Sequence, residues 1–151
     1  MRSLNKRLEK AQAIKYNHQS MARITEDMRA AMDGIIPSMI VTVSKEGVPN
    51  IAYISQVFYV DDTHVALSHQ FFNKSIRNLQ EVPKVCANIV SPIDIKTWKI
   101  DLVFSHSETE GDLFNGMRAQ LEGIASMMGL EDVFSLKAAE VFDVVRVEAI
   151  N

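Results

Sequence analysis

The chain has 151 residues, a net charge of −3 and 47% hydrophobic residues, enough for one domain with a real core. That balance carries no basic stripe of the kind that marks a nucleic-acid binder, and a single cysteine, Cys86, excludes an intramolecular disulfide and a cysteine-based zinc cluster. No apolar run approaches the roughly 20 residues of a membrane span, and the charged N-terminus lacks the apolar core of a signal peptide, so the chain reads as soluble and cytoplasmic.

Residues 1–33 have a helical pattern. Leu4, Leu8 and Ala11 share one face, and Met21, Ile24, Met28, Ala31 and Met32 mark a second. The stretch "YNHQS" at 16–20 is a break between the two pieces. Five basic side chains in the first 15 residues, against Glu9 alone, read as a solvated helix face rather than a nucleic-acid or membrane arm. Gly34 ends the second piece, and Pro37 keeps the helix from resuming.

The pattern then changes to strands. "SMIVTVS" (38–44), the long run "VPNIAYISQVFYV" (48–60) and "HVALS" (64–68) are rich in strand formers and separated by the turns "KEG" and "DDT", which predicts an antiparallel meander. A short helix, 74–82, follows, with Asn73 as its N-cap, Ile76, Leu79 and Val82 as its apolar face, and Pro83 as its stop. "KVCANIVS" (84–91) and "DIKTWKIDLVFSHS" (94–107) are two further strands; Cys86 lies in the first as a buried structural thiol. Ser107 and Glu110 have capping-box spacing ahead of a helix at 112–128, closed by Gly129. "VFDVVRVEAI" (141–150) is the last strand. About six mostly antiparallel strands in so small a domain point to a barrel, since closure removes exposed edges.

One local feature is at odds with its surroundings. Lys74 sits in the first turn of helix 74–82, where the helix dipole favours anions. A cation there makes sense if an anion binds opposite it.

Three stretches taken together resemble the FMN-binding split-barrel proteins related to pyridoxamine 5′-phosphate oxidase. They are "PNIAYISQV" (49–57), "LSHQFFNKSIRNL" (67–79) and "SETEGDLFNGM" (107–117), in that order and with similar spacing. The resemblance runs from Gly34 to Val147. It implies a mainly β chain: a six-stranded antiparallel split barrel over 34–151 with an N-terminal helical segment over 1–33. It also implies a homodimer with FMN at the interface and a small-molecule substrate. By the same resemblance Asn73, Lys74 and Ser75 take the phosphate. Tyr53, Ile54, Ser55 and Gln56 lie along the flavin ring. Ser68 and Gln70 contact ribityl or phosphate, with ordinary strand-end polar groups as their other reading. Trp98 either covers the cofactor from the partner or serves as a barrel-wall or interface aromatic. Phe71 and Phe72 are assigned to the core.

There are departures from the family pattern. Ala52 stands where the oxidase has a phosphate-clamping arginine, Lys74-Ser75 replaces an adjacent Arg-Lys, and His106 precedes "SETEGDLF" where that branch has arginine. Residues that bind pyridoxamine phosphate are not matched, which argues against the oxidase activity itself. Two functions follow: a flavoenzyme passing electrons from a reduced donor to a small acceptor, or a non-catalytic flavin-binding or sensory module. Some split-barrel relatives bind haem, for which His69 or His106 offers an axial ligand. No catalytic side chain is singled out, and no metal site is expected.

Overall fold

A computed structural model of the chain describes residues 22–70 and 73–150. The first N-terminal helical piece and its break lie outside these residues, as do Phe71 and Phe72. Of the second piece, α1 spans Glu26–Arg29 and passes into a 3-10 turn at Ala30–Met32. The helix is shorter than its predicted apolar pattern, since residues 22–25 precede it and Met21 lies outside the described residues, yet Ile24, Met28, Ala31 and Met32 are all buried in the same core as the strands. Arg29 fixes the segment outside that core. Its guanidinium lies 4.1 Å over the Tyr59 ring, and its Nη2 donates to Tyr59 Oη at 2.6 Å and to Asp62 Oδ1 at 3.3 Å. Tyr59 Oη donates in turn to Asp62, and this bond, with Arg29 beside it, holds the Asp62 carboxyl below its ordinary pKa.

Seven strands follow: β1 (Ser38–Val43), β2 (Pro49–Ile54), β3 (Phe58–Asp61), β4 (His64–His69), β5 (Lys84–Val90), β6 (Thr97–Glu108) and β7 (Ala138–Ala149). Two helices are set among them, α2 (Asn73–Glu81) and α3 (Asp112–Met128). All pairings are antiparallel, in the order β2-β1-β5-β6-β7-β4-β3. The count is seven rather than six because the run 48–60 breaks at 55–57 into β2 and β3. Those halves are the two edges of the sheet, so one continuous stretch of chain joins them and the sheet curls into a split barrel.

Alternation decides what is inside. Ile40, Val65, Leu67, Ala87, Ile89, Ile100, Leu102, Phe142 and Val144 fill the interior, and burying each of these except Ala87 is worth about 1.5–3 kcal/mol. A second, smaller core lies outside the barrel wall, where Met117 and Leu121 of α3 cover Phe58, Ala66 and Ala139. Helix α3 keeps its predicted bounds, and Gly129 closes it in the left-handed conformation at φ 67°. Its start differs from the capping-box expectation. Gly111 is the N-cap, without a side-chain bond. Ser107 is still in β6, where its hydroxyl donates to Glu140 instead. No helix among the described residues is long and apolar enough to cross a membrane.

Candidate functional site

Helix α2 follows β4 directly and is fastened by polar bonds that its periodicity did not announce. Ser75 and Asn78 are buried, whereas Ile76 and Val82 are only half-buried. Ser75 Oγ accepts from Asn50 Nδ2 of β2 at 3.1 Å, and Asn78 Nδ2 donates to Thr42 Oγ1 of β1 at 3.0 Å. These two bonds set the N-terminus of α2 beside the β1–β2 hairpin. Asn73 is the first helical residue, and Lys74, exposed in the first turn, makes no ion pair among the described residues. Ser75 accepts this hydrogen bond and donates none among the described residues. The helix start therefore offers backbone N–H groups, a free ammonium and a hydroxyl within one turn, a suitable set for an anion.

Beyond Asn50, β2 runs along the outside of the barrel to its break. Tyr53 is 73% exposed, while Ile54 turns inward. The Ser55 hydroxyl is buried and has no partner among the described residues. Gln56 is also buried and donates through Nε2 to Gln120 Oε1 of α3 at 3.1 Å. β4 approaches this same place. β3–β4 pairing begins at Phe58↔Ala66, and β4 continues past it to His69. Gln70 Nε2 donates to Ser68 Oγ at 3.2 Å, and Gln70 Oε1, like Ser55 Oγ, Ser38 Oγ and Arg29 Nε, is buried without a partner among the described residues. An unpaired buried polar atom costs about 1–3 kcal/mol, so the Ser55 hydroxyl at the strand break calls for a partner that the described residues do not supply.

Of the predicted site residues, Asn73, Lys74 and Ser75 lie at the start of α2, Tyr53 to Gln56 at the end of β2 and its break, and Ser68 and Gln70 at the end of β4, with Asn50–Ser75 joining β2 to α2. Trp98 stands apart. It is 5% exposed on the inner face of β6, within the barrel core, with Lys96 Nζ 5.7 Å above its ring. Asn50 and Gln120, which position the site, were not singled out by the sequence; each acts through a long-range contact. The two histidines considered as ligands have other partners. His69 Nδ1 donates to Glu140 Oε1 at 3.1 Å, and His106 bonds Ser105 and Glu108 on the surface.

The sequence profile of pyridoxamine 5′-phosphate oxidase matches residues 24–145, most of the chain. The chain belongs to the pyridoxamine 5′-phosphate oxidase family. A curated relative in this comparison is an uncharacterized protein of Methanocaldococcus jannaschii, 35% identical over 72 residues, or 46% of this chain. The match spans 48% of that protein, about half its length. Among solved structures, an FMN-binding protein from Syntrophomonas wolfei superposes with a TM-score of 0.69 at 18% identity, over 99% of this chain and 96% of that one. The heme storage protein HutZ from Vibrio cholerae superposes with a TM-score of 0.55 at 17% identity, over 84% and 94%. At such identities the likeness is one of fold, and it agrees with family membership and the split barrel.

Proposed function

We propose that this member of the pyridoxamine 5′-phosphate oxidase family binds FMN along the path from Lys74 to Gln70 and acts as an oxidoreductase between a reduced donor and a small acceptor. The observation that carries the reading is the exposed Lys74 at the start of α2, taken with the buried Ser55 Oγ and Gln70 Oε1, which have no partner among the described residues. From Asn50, bonded to Ser75, to Ser55 the strand covers about 17 Å, which suits an elongated ligand that is anionic at the helix start and polar at the strand break. The FMN-binding protein of the same fold adds to this.

In this reading Asn73, Lys74 and Ser75 hold the phosphate at the helix start. Ser68 and Gln70 meet the ribityl chain, and Tyr53 to Gln56 lie along the ring. Ser55 donates or accepts at its polar edge, and the exposed Tyr53 shields it from water. Bound FMN supplies the electron-transfer chemistry. The protein binds, orients and encloses, so no acid–base side chain is obligatory. With Ala52 beside the helix start instead of an arginine, the phosphate is held by one lysine.

The proposal extends to a cytoplasmic homodimer. Ile51 and Tyr53 are exposed on β2, beside half-buried Met39, Val41 and Val43 on β1, which leaves an apolar outer wall on the sheet. A symmetric partner is the commonest cover for such a wall. A mass near 17.0 kDa by light scattering would count against it.

Titration of FMN and riboflavin, followed by flavin fluorescence, tests the site. Lys74→Ala should weaken FMN binding about 10- to 150-fold, the worth of a charge-assisted hydrogen bond, and leave riboflavin unchanged. Equal loss of both ligands, or of neither, removes the phosphate assignment. Reduction by NADH or NADPH with turnover on an acceptor supports the enzyme; a flavin that stays oxidised makes the protein a binding module.

A further inference from the structure

A second site lies on the opposite flank of α2. Ser75 and Asn78 turn toward β1 and β2, whereas Ile76, Leu79 and Gln80 face a cavity of about 260 Å³ closed by Phe104, Ser107 and Glu140. Ile76, Leu79 and Phe104 make its walls apolar, Gln80 stands at its exposed side, and its floor is a carboxylate. Glu140 is 5% exposed in mid-barrel, and its two oxygens take one donor each, His69 Nδ1 and the Ser107 hydroxyl.

A bulge in β6 builds this floor. Phe104 pairs with Phe142, but the register slips by one residue before His106, which pairs with Val141. An unbroken ladder would set His106 against Glu140; the bulge sets Ser107 there instead. Bulges re-aim side chains in this way beside functional sites.

The donor and acceptor balance specifies the occupant. A carboxylate has about four lone-pair positions, and two on Glu140 are taken. Ser107 gives its proton to Glu140, so its oxygen is left as an acceptor. The floor therefore offers acceptors and negative charge between apolar walls, which favours a cationic N–H donor. A cavity of about 150 Å³ holds benzene, and drug-sized ligands need roughly 300–1,000 Å³. We infer that this cavity binds a small primary amine or amidine, with an apolar body of about one ring lying between Ile76, Leu79 and Phe104 and its cationic head on Glu140 and Ser107. The site is separate from the proposed flavin groove and does not depend on it.

Calorimetric titration of the intact protein with benzylamine, benzyl alcohol and benzoate tests this. Benzylamine should bind one per chain, benzyl alcohol at least about tenfold more weakly, and benzoate not at all. Glu140→Gln, which keeps the shape, should weaken benzylamine about 10- to 150-fold. Ile76→Phe fills the cavity from the half-exposed helix face and should abolish binding with the polar floor intact, so the test stands even if Glu140→Gln folds poorly. Lys74→Ala should leave benzylamine binding unchanged. Failure of benzylamine to bind, equal affinity for the amine and the alcohol, or displacement of the amine by FMN would each overturn the proposal.

Discussion

Gly34→Ala is the most informative single change. Gly34 has φ +76°, and a methyl group there would stand 2.6 Å from Gln56 Oε1 and 3.1 Å from Gln56 Cβ. The left-handed backbone costs a non-glycine residue about 1–2 kcal/mol, offset by about 0.4–1 kcal/mol from a stiffer unfolded chain. The Gln56 amide can swing away, but only by giving up its bond to Gln120, at about 0.5–1.5 kcal/mol. The net loss should be about 1–3 kcal/mol, read as a lower urea midpoint at unchanged slope. For a chain of 151 residues that is a fall in Tm of roughly 2–12 °C. Gly47→Ala is the control. Gly47 has φ +84° but nothing within 4 Å of a new methyl, so it carries the backbone strain alone, about 0–1.5 kcal/mol. Adding Gln56→Ala to Gly34→Ala should recover part of the excess. Equal losses from the two glycine variants would refute the close approach of Gly34 and Gln56.

Two further changes test other parts of the fold. Asn78→Ala should cost about 1–3 kcal/mol by leaving the buried Thr42 hydroxyl without its donor, and adding Thr42→Val should restore part of that; strictly additive losses in urea titrations would show that the pair is not coupled. Burial, with Asp101 next in effect, pushes the Cys86 thiol above its ordinary pKa. Native Cys86 should therefore alkylate with iodoacetamide more slowly at pH 8 than the urea-unfolded chain. The stabilising contribution of this group is complete below the ordinary thiol pKa and is lost as pH rises through the raised value; equal native and unfolded alkylation rates would contradict the shift.

Features carried by regular repeats of apolar residues were legible in the sequence. Helix α3 shows its stripe at Met117, Leu121 and Ala125, and Gly129 its end, and both are where the pattern puts them. The hairpin β1–β2 follows from strand formers either side of a turn at Gly47. The break at 55–57 was not legible, because Ser-Gln-Val continues a strand pattern and what bends it is Gln56 meeting Gly34 and Gln120. The inward face of α2 was half legible: Leu79 is buried as periodicity suggests, but Ser75 and Asn78 go in beside it because Asn50 and Thr42 wait there. Pairing of polar residues across distant strands leaves no periodic trace. The same holds for His69, Ser107 and Glu140, which three different strands bring together.

The position of β7 in the sheet has a consequence for synthesis. β7 is the last strand made, yet it lies in the middle, pairing β6 on one side and β4 on the other. Until Ala138–Ala149 leave the ribosome, the nascent chain holds two separate ribbons, β2-β1-β5-β6 and β4-β3. Each has an unpaired inner edge of the kind that invites aggregation. Closure of this barrel therefore waits for β7. A nonsense codon between β6 and β7 would release both ribbons with those edges permanently open, a substrate for chaperones and proteases rather than a shortened barrel.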